Sequence, residues 1–215
     1  MKSLIVLTLF VLGINACINN PKSPIAKINN EPIQTSRTDG LKNAYFASGC
    51  FWCVEAIFES VKGVKEVVSG YSGGITDNPT YKQVGSGNTG HAETVEVQYD
   101  PAIIDFETLV KVYYGSQNPT TYGQAPDFGS AYRSIIFFQN DAEMQIAVDY
   151  RKKIQESLSD KVRTEILPFE KFYEAEAYHQ NYEKLNPNYP YIVRVSKPRL
   201  NRFKAKFPEL VKNGE

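Results

Sequence analysis

The residues best equipped for chemistry are two cysteines one helical turn apart, in the run Gly49-Cys50-Phe51-Trp52-Cys53. Cys50 falls where an extended stretch, Ala44-Tyr45-Phe46-Ala47-Ser48, gives way to a helical apolar pattern. Backbone N–H groups and the positive end of the helix favour a thiolate there, which lowers the thiol pKa and supplies a nucleophile. Cys53 lies one turn later on the same side of the helix, within disulfide reach. That spacing suits two steps: Cys50 attacks and is oxidised, and Cys53 condenses with it. Two other readings stand beside this one. The cysteines could be small buried apolar residues, or a zinc site completed by His91 and His179, although neither histidine has paired ligand spacing.

Phe51 and Trp52 cannot both face the core together with Cys50, so at least one projects toward solvent or a pocket. An apolar wall beside a reactive sulfur would hold a small apolar group such as a methyl; the alternative is that both rings pack under neighbouring loops. Thr94 to Tyr99 alternates, with Val95, Val97 and Tyr99 on one face, and Glu93 shares their parity. A carboxyl on an apolar face keeps its proton, because desolvation disfavours the charged form. Such an acid near a sulfur nucleophile can donate a proton to a developing oxyanion. Its plain alternative is a glutamate at a frayed strand end turned to water. His91 reads as a structural hydrogen-bonding residue.

The elements that must hold these groups follow from periodicity. A strand at 44–48, a helix from Cys50 to about Val61 and a strand from Val64 to Tyr71 lead into a turn-rich loop through Gly90. The alternating strand at 94–99 precedes a helix capped by Asp105 and reaching about Tyr114. A loop from Gln117 to Gly129 leads to a strand at 132–138, and Asn140 with Glu143 starts a helix to about Leu158. A short strand at 164–167, a helix from Glu174 to Leu185 and a basic segment complete the chain. This order predicts an α+β fold, a two-layer sandwich with a mainly antiparallel sheet and a β-α-β-β-α-β, ferredoxin-like core.

Formal net charge is zero over 215 residues, so charge gives no footprint for nucleic acid. Lys2, the apolar run Leu4 to Leu12 and Ile14-Asn15-Ala16-Cys17 read as a signal peptide, residues 1–17, ending in a lipobox whose Cys17 carries lipid. An ordinary secretory signal with an incidental Cys17 is the alternative. Residues 18–40, rich in Asn, Pro, Lys, Ser and Thr, read as a flexible tether, and 41–212 as one domain. With Cys17 assigned to the anchor, only Cys50 and Cys53 remain, and so short a loop makes a poor structural staple. The expected location is a bacterial cell envelope, with the chain exported and anchored rather than spanning.

The motifs together resemble the A-type peptide methionine sulfoxide reductases, from about Tyr45 to about Tyr191. The likeness is carried by Gly49-Cys50-Phe51-Trp52, Gly70-Tyr71-Ser72-Gly73-Gly74, Asn78-Pro79-Thr80-Tyr81, Gly90-His91-Ala92-Glu93, Tyr132-Arg133-Ser134, and His179-Gln180 followed by Asn186-Pro187. The resemblance implies that Cys50 is the catalytic cysteine, Phe51 and Trp52 the cage for the substrate methyl, and Glu93 the acid that protonates the sulfoxide oxygen. It implies pocket hydroxyls at Tyr81 and Tyr132, a supporting carboxylate at Asp127, and a third aromatic wall at Tyr191 or Tyr189. Many relatives place a resolving cysteine after a Pro-Tyr or Gly-Tyr pair, where this chain has Pro190-Tyr191-Ile192. Many also have glycine where this chain has Cys53, so resolution by Cys53 is the expectation. Implied too are the S epimer of the sulfoxide, oxidised proteins or peptides as substrate, a thioredoxin-like reductant, a monomeric enzyme, and no metal or organic cofactor. The rival readings are a thioredoxin-like thiol–disulfide oxidoreductase and a surface lipoprotein that binds a partner through its aromatics.

Overall fold

The computed structural model describes residues 31–213. The signal peptide, Cys17 and the tether as far as residue 30 lie outside the described residues.

Strand β1 (Lys42–Ala47) runs into helix α1 (Phe51–Glu59), which returns to β2 (Val64–Ser72). A short helix α2 (Tyr81–Gly85) precedes β3 (Ala92–Tyr99) and α3 (Phe106–Gly115). A two-residue hairpin, β4 (Gly123–Gln124) with β5 (Asp127–Phe128), precedes β6 (Ile135–Phe138), α4 (Asp141–Glu156), β7 (Glu165–Pro168) and β8 (Phe172–Glu174). The chain closes with α5 (Tyr182–Leu185), a π-helical stretch Ile192–Ser196 and α6 (Lys197–Lys206).

The main sheet has the order β7-β6-β1-β3-β2-β8. Its inner strands β6, β1, β3 and β2 are antiparallel to one another, in the strand order of the ferredoxin-like core the sequence predicts. Two edge strands extend it: β7 parallel to β6 and β8 antiparallel to β2. β1 is buried on both faces. Ala44 and Phe46 join the main core with Val54, Ile57, Phe58, Val95, Val97, Leu109 and Tyr113. Tyr45 and Ala47 join a second cluster with Ile135, Phe137 and Phe169, where Tyr45 stacks on Phe169 at 3.8 Å. Strands buried on both faces read as continuous apolar runs, as Tyr45–Ala47 does.

Local chemistry fixes the helix starts. The Asp105 side chain accepts the Thr108 N–H, and Asn140 accepts the Glu143 N–H while Glu143 accepts the Gln139 N–H. Within the loop expected at 73–90, Thr80 and Gln83 close a reciprocal capping box that starts α2.

The helix expected from Glu174 to Leu185 does not form. Phe172–Glu174 instead pairs with Gly70–Ser72 as an edge strand, a turn follows at Ala177–His179, and only α5 is helical. Asn181 adopts a left-handed φ of 54°, which no helix interior permits. The part of the expected tether that is described, 31–40, meets the domain early. The Ile33 N–H donates to the Phe169 carbonyl at 2.6 Å, and Thr35 donates N–H and O–H to Gln139 Oε1 at 2.8 and 2.5 Å. Among the described residues no helix is long and apolar enough to cross a membrane.

Candidate active site

Gly49 makes the sharp passage from β1 to α1 with φ +72°, a conformation that favours glycine, and its N–H donates to the Tyr132 carbonyl at 3.0 Å. A Cβ here would lie 2.8 Å from Gln124 Cβ. Cys50 is therefore the N-cap residue of α1, 7% exposed, with Cys53 buried one turn further along. Both are free thiols.

Glu93 on β3 points to the apolar face, as its parity predicts, and is 3% exposed. Its Oε2 accepts the Phe51 N–H at 2.9 Å, while Oε1 makes no hydrogen bond among the described residues. Burial outweighs that bond and pushes the carboxyl up to about 8, so at neutral pH Glu93 is mainly a neutral acid. When ionised, Glu93, Cys50 and Asp127 each raise the pKa of the Tyr81 and Tyr132 hydroxyls, so these predicted residues lie close together.

The sulfurs depart from the sequence expectation. Cys50 was expected to ionise easily at the helix start. Its sulfur makes no capping bond, because the Phe51 N–H is taken by Glu93 and the Cys53 and Val54 N–H groups by the Cys50 carbonyl. Burial, then Cys53 and Glu93, push its thiol well above the usual range. The Cys53 thiol is held down at about 6, first by the Cys50 thiol beside it and then by the Arg199 charge, against the effect of burial.

Aromatic rings wall the cleft. Phe51 is buried, with its centroid 4.9 Å from His179 and 6.4 Å from Tyr81. Trp52, half-buried, stacks on Tyr182 at 3.8 Å and meets the edge of Tyr191 at 6.0 Å. Of the two tyrosines left open, Tyr191 stands at the cysteines. Its hydroxyl lies 3.7 Å from Cys53 Sγ and donates to Asp127 Oδ2. Tyr189 is 47% exposed and packs against the outer side of Tyr182.

His91 is structural: its Nδ1 accepts the Gly74 N–H at 3.1 Å, which leaves Nε2 to donate to the Thr76 carbonyl at 2.8 Å. His179, 1% exposed, has no partner for either ring nitrogen among the described residues, and burial lowers its pKa, so the ring is neutral. Among the described residues no cluster of His, Cys, Asp and Glu is arranged to hold a metal.

The sequence profile of the peptide methionine sulfoxide reductase family matches residues 42–211, the length of the domain just described. The chain belongs to that family. A Pasteurella multocida protein named peptide methionine sulfoxide reductase MsrA is 44% identical over 172 residues, 80% of this chain and 99% of the relative. The crystal structure of Mxr1 from Saccharomyces cerevisiae in reduced form aligns with a TM-score of 0.67 at 31% identity, covering 72% of this chain and 90% of that one. The structure of Mxr1 in complex with Trx2 aligns with a TM-score of 0.50 at 23% identity over 69% of this chain and 88% of that one, a likeness of fold.

Some residues of this methionine sulfoxide reductase site escaped the sequence reading. Tyr182 backs Trp52. Glu176 accepts from the Tyr71 hydroxyl at 2.8 Å and the Tyr81 N–H at 2.9 Å, and so fixes the start of α2 beside the cleft. Arg199 reaches from α6 to the end of β1, where it donates to the Ser48 carbonyl at 3.1 Å and the Ser48 hydroxyl at 2.8 Å. Only Tyr182 carried a signal, three residues after His179 within the motif that begins His179-Gln180.

Proposed function

We propose that this chain reduces the S epimer of methionine sulfoxide, free or in proteins, to methionine. The observation that carries the reading is the neutral, buried Glu93 bonded to the Phe51 amide directly beyond Cys50. Phe51 and Trp52 hold the substrate methyl, Tyr81 and Tyr132 hold the sulfoxide oxygen, and Asp127 orients Tyr191. Cys50 passes its proton to Cys53 and attacks the sulfoxide sulfur, while Glu93 protonates the oxygen. Methionine leaves, and the oxygen remains on Cys50 as a sulfenic acid. Cys53 then attacks that sulfur, water departs and a Cys50–Cys53 disulfide forms. A thioredoxin-like dithiol reopens it; support for that partner is the Trx2 complex of Mxr1. The thioredoxin-like alternative leaves Glu93 and the aromatic wall without a task.

The test is methionine release from a sulfoxide peptide under dithiothreitol. Cys50→Ser abolishes turnover. Cys53→Ser without reductant still yields about one methionine per enzyme, the stoichiometry of a single turnover. An active Cys50→Ser protein overturns the assignment. A racemic substrate is consumed to half.

The same proposal includes location. Lipid on Cys17 would anchor the exported chain in the bacterial envelope through the tether, supported by the Leu4–Leu12 run and the Ile14-Asn15-Ala16-Cys17 ending. Mass spectrometry of the mature amino terminus tests it; an unprocessed Met1 or an unlipidated Cys17 refutes it. The same reading takes the enzyme as a monomer, which sedimentation checks.

A further inference from the structure

Glu55 is a buried carboxyl that the reaction does not use. It is 1% exposed and lies on α1, one turn beyond Trp52. Both of its oxygens are engaged: Oε1 accepts the Asn181 N–H at 2.6 Å, and Oε2 accepts the Ser69 hydroxyl at 2.7 Å. A buried carboxyl is costly unless it is hydrogen-bonded, and these two bonds offset that cost. One of them reaches the segment that carries Tyr182.

That segment has little regular structure of its own. The turn Ala177–His179 is followed by Asn181 in the left-handed region, and α5 is four residues long. Side chains fasten it instead. Gln180 brackets Ser69 of β2: its Oε1 accepts the Ser69 N–H and its Nε2 donates to the Ser69 carbonyl, both at 2.9 Å. The remaining hold comes from α1, where Trp52, Glu55 and Glu59 stand at i, i+3 and i+7 and so share one face. Along that face Trp52 stacks on Tyr182 at 3.8 Å, Glu55 takes the Asn181 N–H, and Glu59 pairs with Lys184 at 2.8 Å. Lys184 is exposed, and such ion pairs contribute little. The seating of the segment on α1 therefore falls to Glu55.

We propose that Glu55 is a positioning residue: by holding the backbone amide of Asn181 it sets the ring of the next residue, Tyr182, flat against Trp52, and so fixes the indole wall that receives the substrate methyl. The inference rests on the reading of Trp52 as part of the methyl cage. Glu55 touches neither substrate nor sulfur, and it acts through Tyr182.

Trp52 is the chain's one tryptophan, so its fluorescence reports the stack with no sulfoxide present. Glu55→Leu fills the site but accepts no hydrogen bond, and it changes the emission in the same sense as Tyr182→Leu. Glu55→Gln, which keeps an oxygen for Asn181, retains the native emission. With a sulfoxide peptide, Glu55→Leu raises KM by about two- to tenfold, the contribution of one aromatic stack, and leaves kcat in place. Combining Glu55→Leu with Tyr182→Leu raises KM no further than either change alone, because both act through one contact. Native emission in Glu55→Leu, additive effects in the double variant, or a fall in kcat at native KM each overturns the proposal. Should Glu55→Leu fail to fold, Glu55→Asp, which withdraws the carboxyl by one methylene, carries the same expectations, and native emission and KM in it are equally fatal. Absence of sulfoxide reduction from the native protein, with the emission results intact, would sink the functional reading and leave the link from Glu55 to Tyr182 standing.

Discussion

The Phe51 N–H and Glu93 Oε2, 2.9 Å apart, tie the residue after the nucleophile to the acid on the central strand. One carboxyl oxygen is thereby fixed, and the other is left to carry the proton toward the cleft. Glu93→Gln keeps an oxygen for the amide and removes the acid. Its single-turnover rate falls by about 10²- to 10⁴-fold, the usual contribution of a positioned proton donor. In the native enzyme the same rate declines as pH rises through about 8, where Glu93 ionises. A Gln variant at full rate, or a native rate flat through that range, removes the proton donor from the mechanism.

Stability follows pH through two buried acids. Glu93 titrates at about 8 and Glu55 at about 7 in the folded protein, both above the ordinary 4.5. Between those values the folded state binds more protons than the unfolded chain. Stability from these groups is therefore complete below about 4.5 and is lost as pH rises through 7 and then 8. Urea midpoints fall over that window, and Glu55→Gln with Glu93→Gln flattens the fall. Glutamine at position 55 can still accept the Asn181 N–H and donate toward Ser69. An unchanged slope in the double variant refutes the assignment.

Tyr182 supports Trp52 from behind with an interplanar angle of 7°. Tyr182→Leu loses the stack and raises KM for a sulfoxide peptide by about two- to tenfold, since such ring pairs contribute about 0.5–1.5 kcal/mol. Trp52→Ala has the larger effect on kcat/KM. If Tyr182→Leu leaves KM unaltered, the stack does not position the indole.

Gly70 lets β8 close on β2. A Cβ there would sit 2.3 Å from the Phe172 ring and 2.4 Å from the Tyr173 carbonyl. Gly70→Ala is expected to cost about 1–3 kcal/mol, as overpacking does, and to lower Tm. Gly85→Ala, with nothing within 4 Å of the added methyl, serves as the comparison and leaves Tm unchanged or slightly higher. Equal melting of the two variants contradicts the account.

Where residues act through local pattern, the sequence alone was informative. Parity alone put Glu93 on the apolar side of its strand, and the caps at Asp105 and Asn140 set the starts of α3 and α4. The helix expected at 174–185 failed because its fate is tertiary: Phe172 is drawn under Tyr45, their centroids 5.6 Å apart, and no periodicity reports that. The error about Cys50 has a similar cause. A helix start advertises free amides, yet which acceptor claims them depends on a strand more than 40 residues away, where Glu93 stands. Arg199 was illegible for the same reason, being one cation in a basic segment until the fold buries it.

Ile33 and Thr35 are fastened beside Phe169 and Gln139, and Gln139 in turn donates to the Asn43 carbonyl at 2.6 Å. Asn43 is the second residue of the strand that ends at Ala47 and delivers Cys50, so the described amino end is fastened at the opposite end of β1 from the sulfur, about 13 Å down that strand at its ordinary rise. The described amino end, from Ile33 to Thr35, thus lies at the end of β1 away from Cys50 and leaves the sulfur's end to large, damaged clients.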